Sequence, residues 1–344
     1  MKLRDVKKYV ALGLCFVFAL SAALGVFAPD SAWAAKAKKK QPAGNPLYAS
    51  IVVDSDTGVI LHQANPDKKL HPASLTKVMT LLMLFEAIER GETSLNDSIK
   101  ISKKAAAAAP SKLGLAPGST IRVKDAILAL VTKSANDIAL AVAEHVGETE
   151  DRFAIAMTGR ARELGMNNTT FRNASGLHDP GQISSARDMA IMARYVINRY
   201  PDYYRYFSTK NFSYKGQNYH NHNHLMKSYK GMDGMKTGFI NASGFNLIGS
   251  AVRGNTRLIG VVFGGKSANS RNAHMKELLD AGFKKGTTPE FRNAAADDAL
   301  GTTIAWNHTS GDVAPSPGRK PILSGDSQLA MNDNNAPLTQ PVAE

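Results

Sequence analysis

The most restrictive feature of the sequence is a helical pattern over residues 74–90 that is apolar on nearly every side. The apolar positions of this pattern are Leu75, Val78, Met79, Leu81, Leu82, Leu84, Phe85 and Ile88. A helix that is apolar all round cannot lie on a protein surface, so it must be buried. The 344-residue chain is 43% hydrophobic, which is sufficient to cover such a helix. We therefore expect this segment to run through the middle of a folded domain.

The first residues of the chain have the order of an export signal. A positive leader (Lys2, Arg4, Lys7 and Lys8) precedes an apolar run from Tyr9 to Phe27, and Ala32-Trp33-Ala34 supplies small residues for cleavage. A retained membrane anchor is the alternative, because the run approaches the roughly 18 residues that can begin to span a bilayer. We interpret residues 1–34 as a cleaved signal peptide. The protein is then exported, to the periplasm or the outer face of the cytoplasmic membrane.

Cysteine content and charge limit the chemistry of the exported chain. Cys15 is the only cysteine, so a chain cleaved after Ala34 has no disulfide, thiol nucleophile or cysteine metal site. The net charge is +13, and the first 34 residues hold four basic and two acidic residues, which leaves +11. A basic exported protein is drawn to anionic polymers. We expect cell wall as a partner, weak association with membrane surfaces, and no nucleic acid.

Strand patterns occur at both ends of the main part of the chain. Two runs at residues 48–53 and 59–61 flank a turn, and two more at 245–252 and 257–263 flank Gly254-Asn255. Helical patterns cover residues 123–131, 137–146, 152–164, 185–198 and 268–283. This order predicts an α/β (α+β) sandwich, in which one mostly antiparallel sheet is assembled from both ends of the domain and covered by helices.

The composition changes on either side of this domain. Residues 35–46 form a basic linker with four lysines and no periodicity. Residues 47–285 carry the periodic patterns. The tail, residues 286–344, is rich in alanine and aspartate and then in proline, which is typical of disorder, and it shows no sustained amphipathic helix.

A single Ser-x-x-Lys occurs in the chain, Ser74 to Lys77, at the start of the central helix. Positions i and i+3 share a helix face, so the hydroxyl and the amine point into the same space. A serine hydroxyl needs an adjacent base to act as a nucleophile, and a lysine with a lowered pKa can serve. The alternative is an N-cap serine with a lysine that extends to solvent.

Two further motifs favour the catalytic interpretation. Ser134-Ala135-Asn136 lies in a predicted loop between two helices, and Lys236-Thr237-Gly238 lies on a predicted strand. S-x-x-K, S-D-N and K-T-G together are the signature of penicillin-binding proteins and class A β-lactamases. Ala135 departs from it, since the signature has aspartate there. Beyond these motifs the chain resembles the low-molecular-mass penicillin-binding proteins that act as D-alanyl-D-alanine carboxypeptidases.

The resemblance extends from about residue 48 to 283 and rests on longer blocks. These blocks are His71–Lys77, Phe171–Leu177, Ser184–Ala190 and Asp233–Gly238. It implies a penicillin-binding, transpeptidase-like catalytic domain over residues 47–285 with a β-lactamase-like fold. It also implies peptidoglycan stem peptides as substrates, β-lactam antibiotics as covalent inhibitors, and no cofactor.

The resemblance also implies the catalytic roles. Ser74 attacks the carbonyl between the last two D-alanines and forms an acyl-enzyme, while Lys77 accepts its proton. Ser134 relays that proton to the leaving amine. The backbone N–H groups of Ser74 and Phe239 form the oxyanion hole. Many relatives have histidine at the position of Phe239, which leaves this backbone role intact.

Substrate-binding roles are implied for the remaining motif residues. Asn136 holds the substrate's peptide group, and Lys236 stabilises charge beside the relay serine and at the substrate carboxylate. Thr237 binds that carboxylate through its hydroxyl, with Gly238 next to it on the strand. Arg271, near the start of the last helix, matches a family arginine that helps to hold the same carboxylate.

Three other functions are compatible with part of this pattern. A D,D-endopeptidase uses the same acyl-enzyme. A class A β-lactamase needs a glutamate that activates water, and Glu163-Leu164-Gly165-Met166-Asn167 superficially resembles its motif; we interpret Glu163 as a solvated helix residue. A non-enzymatic wall-binding protein is expected to have lost a catalytic residue, and none is lost here.

Alternating histidines at residues 220, 222 and 224 raise the question of a metal site. Residues i, i+2 and i+4 of a strand point to one side. However, no cysteine or carboxylate joins them and the chain has no His-Glu-x-x-His. We therefore interpret the segment as a polar strand beside the active site, and predict no metal.

Overall fold

The computed structural model describes residues 45–286. The signal peptide predicted for residues 1–34, nearly all of the linker and the tail after residue 286 lie outside the described residues. Within the described part, no helix combines the length and the apolar character needed to cross a membrane.

A five-stranded antiparallel sheet forms the centre of the domain. Its strands are β1 (Ala49–Asp54), β2 (Ile60–Ala64), β7 (Met232–Ile240), β8 (Gly244–Arg253) and β9 (Thr256–Gly265). They lie in the order β2-β1-β9-β8-β7. The N-terminal hairpin pairs with the C-terminal strands through β1 and β9. The predicted sandwich, with a sheet built from both ends of the domain, is therefore confirmed.

Helices cover both faces of this sheet. They are α1 (Lys77–Glu89), α2 (Lys103–Ala106), α3 (Val123–Thr132), α4 (Asn136–Gly147), α5 (Glu150–Glu163), α6 (Ala186–Arg199), α7 (Pro201–Tyr204), α8 (Leu225–Ser228) and α9 (Ala268–Gly286). Short 3-10 helices occur at Ala73–Thr76 and Arg205–Ser208. The long helical patterns of the sequence agree with these bounds to within a few residues.

Side-chain alternation divides the core into two layers. Ile51 and Val53 of β1 pack with α1 and its neighbouring helices, whereas Val52 packs on the opposite face with α9. Successive strand residues point to opposite faces, so one strand supplies both layers. The predicted central helix is confirmed, because α1 is buried along nearly all of its length.

Two small antiparallel sheets of two strands each were not predicted. They are β3 (Ser98–Lys100) with β4 (Thr120–Arg122), and β5 (Asn211–Tyr214) with β6 (Gln217–His220). The prediction of a strand through His224 was wrong, because β6 ends at His220. Beyond that point Asn221 and Asn223 are buried and bind backbone carbonyls, so they turn the chain.

Candidate active site

The Lys77 side chain connects three parts of the chain. Its Nζ lies 3.1 Å from the Ser74 hydroxyl oxygen, 2.7 Å from Asn136 Oδ1 and 2.5 Å from the backbone carbonyl oxygen of Ser175. A neutral amine has two N–H donors and one lone pair. Two carbonyl-type acceptors take both N–H groups, which leaves the lone pair to accept the Ser74 proton. The geometry allows the lysine amine to act as a base toward the serine hydroxyl.

The environment of Lys77 favours the neutral amine. The side chain is fully buried, and this burial, followed by the charge of Lys236, holds its pKa well below the usual range. The charge of Asp137 raises the pKa of Lys77 but does not cancel these two effects. Its carboxylate is engaged by the backbone N–H groups of Leu113 and Gly114, at 3.0 and 2.9 Å.

The turn that carries Ser74 is held from two sides. Ala73, the first residue of the 3-10 helix, has a φ of +49°. The loop after residue 172 approaches it so closely that a Cβ on Gly176 would lie 1.9 Å from the Ala73 carbonyl oxygen. From the sheet side, Asn246 donates to the His71 carbonyl oxygen at 3.0 Å. Ser74 is thus the half-buried end of a rigid turn rather than an ordinary helix cap.

Ser134 lies at the junction of α3 and α4. It has a φ of +59° and is 5% exposed, and its hydroxyl has no hydrogen-bond partner within residues 45–286. Burying a hydroxyl without a hydrogen-bond partner costs free energy. Groups left in this state are typical of sites that act on a substrate. Asn136 was expected in the loop but begins α4, where its Nδ2 donates to the Ala109 carbonyl oxygen at 2.9 Å.

The edge strand β7 passes directly beside Ser74. A Cβ on Gly238 would lie 3.0 Å from the Pro72 carbonyl oxygen and 3.1 Å from the Ser74 nitrogen, so a side chain there would require the turn to shift by a few tenths of an ångström. Lys236 and Thr237 precede it and are buried. Phe239 follows it, is half exposed, and packs its ring against Phe245 at 4.3 Å between centroids.

Arg271 approaches the same strand from the start of α9. It is 4% exposed and donates to the Asn246 carbonyl oxygen at 3.1 Å. Burial lowers the pKa of Arg271 to about 10, and burial together with the Arg271 charge lowers the pKa of Lys236 to about 7. Among the described residues, no carboxylate forms an ion pair with Arg271, Lys236 or Lys77. The cleft is therefore suited to an anionic ligand.

The contact of the Ser175 backbone carbonyl with Lys77 was not predicted from the sequence. The block over residues 171–177 stands out in the sequence, but a backbone acceptor has no side-chain signature. The loop is built by its own polar groups, since Asn173 Oδ1 accepts from the Gly176 N–H at 2.8 Å, and Gln182 Oε1 accepts from the Asn173 N–H at 3.0 Å. These bonds fix the carbonyl oxygen that accepts a hydrogen bond from the Lys77 amine.

Glu163 is a helix residue, as predicted. It lies at the end of α5 with its side chain 57% exposed, and it pairs with Arg160 at 2.8 Å. Arg160 also binds Glu86 and Tyr195. Glu163 thus belongs to a surface ion-pair network. Within residues 45–286, no group of three or more histidine, aspartate, glutamate or cysteine side chains could hold a metal ion.

These features define a class of protein. A buried lysine at hydrogen-bond distance from a serine, beside a cationic cleft, is the site of a serine-type acyl-transfer enzyme. The D-alanyl-D-alanine carboxypeptidase family profile matches residues 37–267. The chain belongs to the D-alanyl-D-alanine carboxypeptidase family, whose members are serine-type hydrolases.

Individual relatives agree with this assignment. D-alanyl-D-alanine carboxypeptidase DacF of Bacillus subtilis is 35% identical over 271 residues, 76% of this chain and 68% of that protein. Penicillin binding protein 5 of Haemophilus influenzae is 35% identical with a TM-score of 0.67, over 69% of this chain and 70% of that chain. Penicillin-Binding Protein D2 of Listeria monocytogenes, solved in a cefotaxime-bound form, is 30% identical with a TM-score of 0.63, over 68% of this chain and 96% of that one.

Proposed function

We propose that this protein is a D-alanyl-D-alanine carboxypeptidase that removes the terminal D-alanine from peptidoglycan stem pentapeptides through an acyl-enzyme on Ser74. The observation that carries the proposal is the 3.1 Å contact between the Ser74 hydroxyl and a fully buried Lys77 amine. Residues 47–285 form the catalytic domain in this proposal. Residues 1–34 act as an export signal, which delivers the enzyme to the periplasm or the outer face of the cytoplasmic membrane.

Acylation begins with proton transfer from Ser74 to Lys77. The serine oxygen then attacks the carbonyl carbon between the two D-alanines, and the negative charge that develops on its oxygen is stabilised by the backbone N–H groups of Ser74 and Phe239. Ser134, whose hydroxyl has no protein partner among the described residues, passes the proton to the leaving amine. The C–N bond breaks, D-alanine departs, and water later hydrolyses the serine ester.

Binding of the substrate carboxylate uses the cations at the end of the cleft. Lys236 and Arg271 supply the charge, and the Thr237 hydroxyl supplies a hydrogen bond. Asn136 holds the peptide group while its Oδ1 accepts from Lys77. A bound carboxylate raises the pKa of Lys236 again, because an adjacent opposite charge favours the ammonium form.

β-Lactams are expected to acylate the same serine, because their strained amide resembles the D-alanyl-D-alanine carbonyl and their carboxylate reaches Thr237. The test is labelling with fluorescent penicillin, for which Ser74→Ala should abolish the signal in a protein that still melts cooperatively. Intact labelling of Ser74→Ala would overturn the mechanism.

The type of peptidase is tested with purified muropeptides. Loss of one alanine from pentapeptide stems supports the carboxypeptidase, whereas loss of a cross-link without loss of alanine identifies a D,D-endopeptidase. Mass analysis distinguishes the two products directly.

A further inference from the structure

The histidine-rich segment after β6 lies next to the active site, although the proposed reaction assigns it no role. Asn221 Nδ2 donates to the Val131 carbonyl oxygen at 3.2 Å, and Asn223 Nδ2 donates to the Gly234 carbonyl oxygen at 2.9 Å. The two buried asparagines therefore attach this segment both to the end of α3 and to β7, the strand of the Lys-Thr-Gly motif. His222 lies between them and is exposed.

Lys133 lies on the same side of the cleft. It directly precedes Ser134, is half-buried, and its Nζ lies 5.6 Å from the centroid of the Tyr219 ring on β6. Lys133 forms no ion pair with any carboxylate of the described chain. Its ammonium group lies over this aromatic ring, without a carboxylate counter-ion among residues 45–286.

The segment that carries His222 has basic residues and no acidic one. Residues 209–231 contain four lysines, three histidines and no acidic residue. Desolvation lowers the pKa of His222 to about 4, and the charges of Lys236, Lys133, His224 and Lys77 act in the same direction. An imidazole in this position is neutral at neutral pH and offers an N–H donor within a cationic field.

We propose that Lys133 and His222 form a second carboxylate subsite, which binds a carboxylate that the substrate carries on the amino-terminal side of the scissile bond. This inference rests on the proposed carboxypeptidase function. Arg271 and Lys236 hold the terminal carboxylate, and Arg271 reaches the cleft from α9. Lys133 and His222 belong to other elements, the turn directly after α3 and the segment after β6. Lys133 supplies the charge, and His222 donates a hydrogen bond.

The test uses two synthetic peptides that differ by one carboxylate. They are acetyl-L-lysyl-D-alanyl-D-alanine and the same peptide with meso-diaminopimelate in place of lysine, whose side chain ends in an amine and a carboxylate. We expect the wild type to release D-alanine with a higher kcat/KM from the diaminopimelyl peptide. The ratio of the two values should fall about fivefold in Lys133→Met, the size expected for one partly exposed ion pair. His222→Gln should lower this ratio as well.

Lys227→Met is the matched control, because Lys227 is an exposed lysine of the same basic segment on α8. It should leave the ratio unchanged. A wild type without preference, or a ratio that Lys133→Met and Lys227→Met change equally, would overturn the subsite. Failure of the proposed function looks different, since neither peptide would then release D-alanine and benzylpenicillin would not acylate Ser74. Acylation of Lys133→Met by benzylpenicillin shows that the variant is folded, and the peptide ratio then decides.

Discussion

The contact between Gly176 and the turn that carries Ser74 provides a sharp test of the site's architecture. Gly176 has a φ of +83°, and a Cβ there would lie 1.9 Å from the Ala73 carbonyl oxygen and 2.9 Å from the Ser74 nitrogen. Real Cβ contacts are essentially never shorter than 3.0 Å, so Gly176→Ala must separate the loop and the turn by about 1 Å. The hydrogen bonds of Ser175 and Gly176 resist movement of the loop.

The expected loss of activity follows from this displacement. Misplacing a reacting group by about 1 Å costs about 10²-fold in rate. The positive φ adds a separate cost, since a side chain in the left-handed region destabilises a fold by about 1 to 2 kcal/mol. Gly165→Ala is a matched control, because Gly165 has a φ of +81° and no atom lies within 4 Å of the position that a Cβ would take there. Both variants should melt a few degrees lower, by about 2 to 4 °C per kcal/mol.

The assay is the second-order rate of acylation by fluorescent penicillin, measured for both variants below their melting temperatures. Gly176→Ala should acylate about 100-fold more slowly than wild type. Gly165→Ala should acylate at the wild-type rate. If the two variants acylated within about threefold of each other, close contact with the loop after residue 172 would not position Ser74, and the reasoning would be refuted.

Four further predictions concern two lysines, an arginine and the tail. Lys77 is a base only when neutral, and the Lys236 charge lowers its pKa, so Lys236→Ala should move the acidic limb of the pH–rate profile to higher pH; an unmoved limb contradicts this. Lys77→Ala should instead slow acylation by every substrate by about 10² to 10⁴, the contribution of one general base, and a smaller loss would assign the base elsewhere. In the proposed mechanism Lys236 acts in its protonated form, so activity should fall as the pH rises through its pKa of about 7. Arg271→Met should raise that pKa, move the alkaline limb to higher pH and lower kcat/KM. An unshifted limb would show that the Arg271 charge does not lower the pKa of Lys236. Deleting residues 287–344, predicted to be disordered from their composition, should change the melting temperature little, and a large fall would reveal a packed domain.

Much of the fold followed from local patterns in the sequence. The two periods, 3.6 for helices and 2 for strands, depend only on neighbouring residues, so α1 and the hairpins at both ends of the domain could be predicted. The small hairpin of β5 and β6 escaped because its residues are mostly polar and exposed, and it therefore lacks the apolar alternation that marks a half-buried strand.

The sequence by itself determined the chemistry that lies within one turn of chain. Ser74 and Lys77 are three residues apart, and helical geometry alone places such a pair on one face. Tertiary structure decided what makes the pair reactive. Asn136 and the Ser175 carbonyl reach Lys77 from 59 and 98 residues away. Burial and the charge of Lys236, which lower the pKa of Lys77, likewise arise only when the sheet and helices close around it. The physical reason is that hydrogen bonds and desolvation depend on distance in space, and a linear pattern records distance only along the chain.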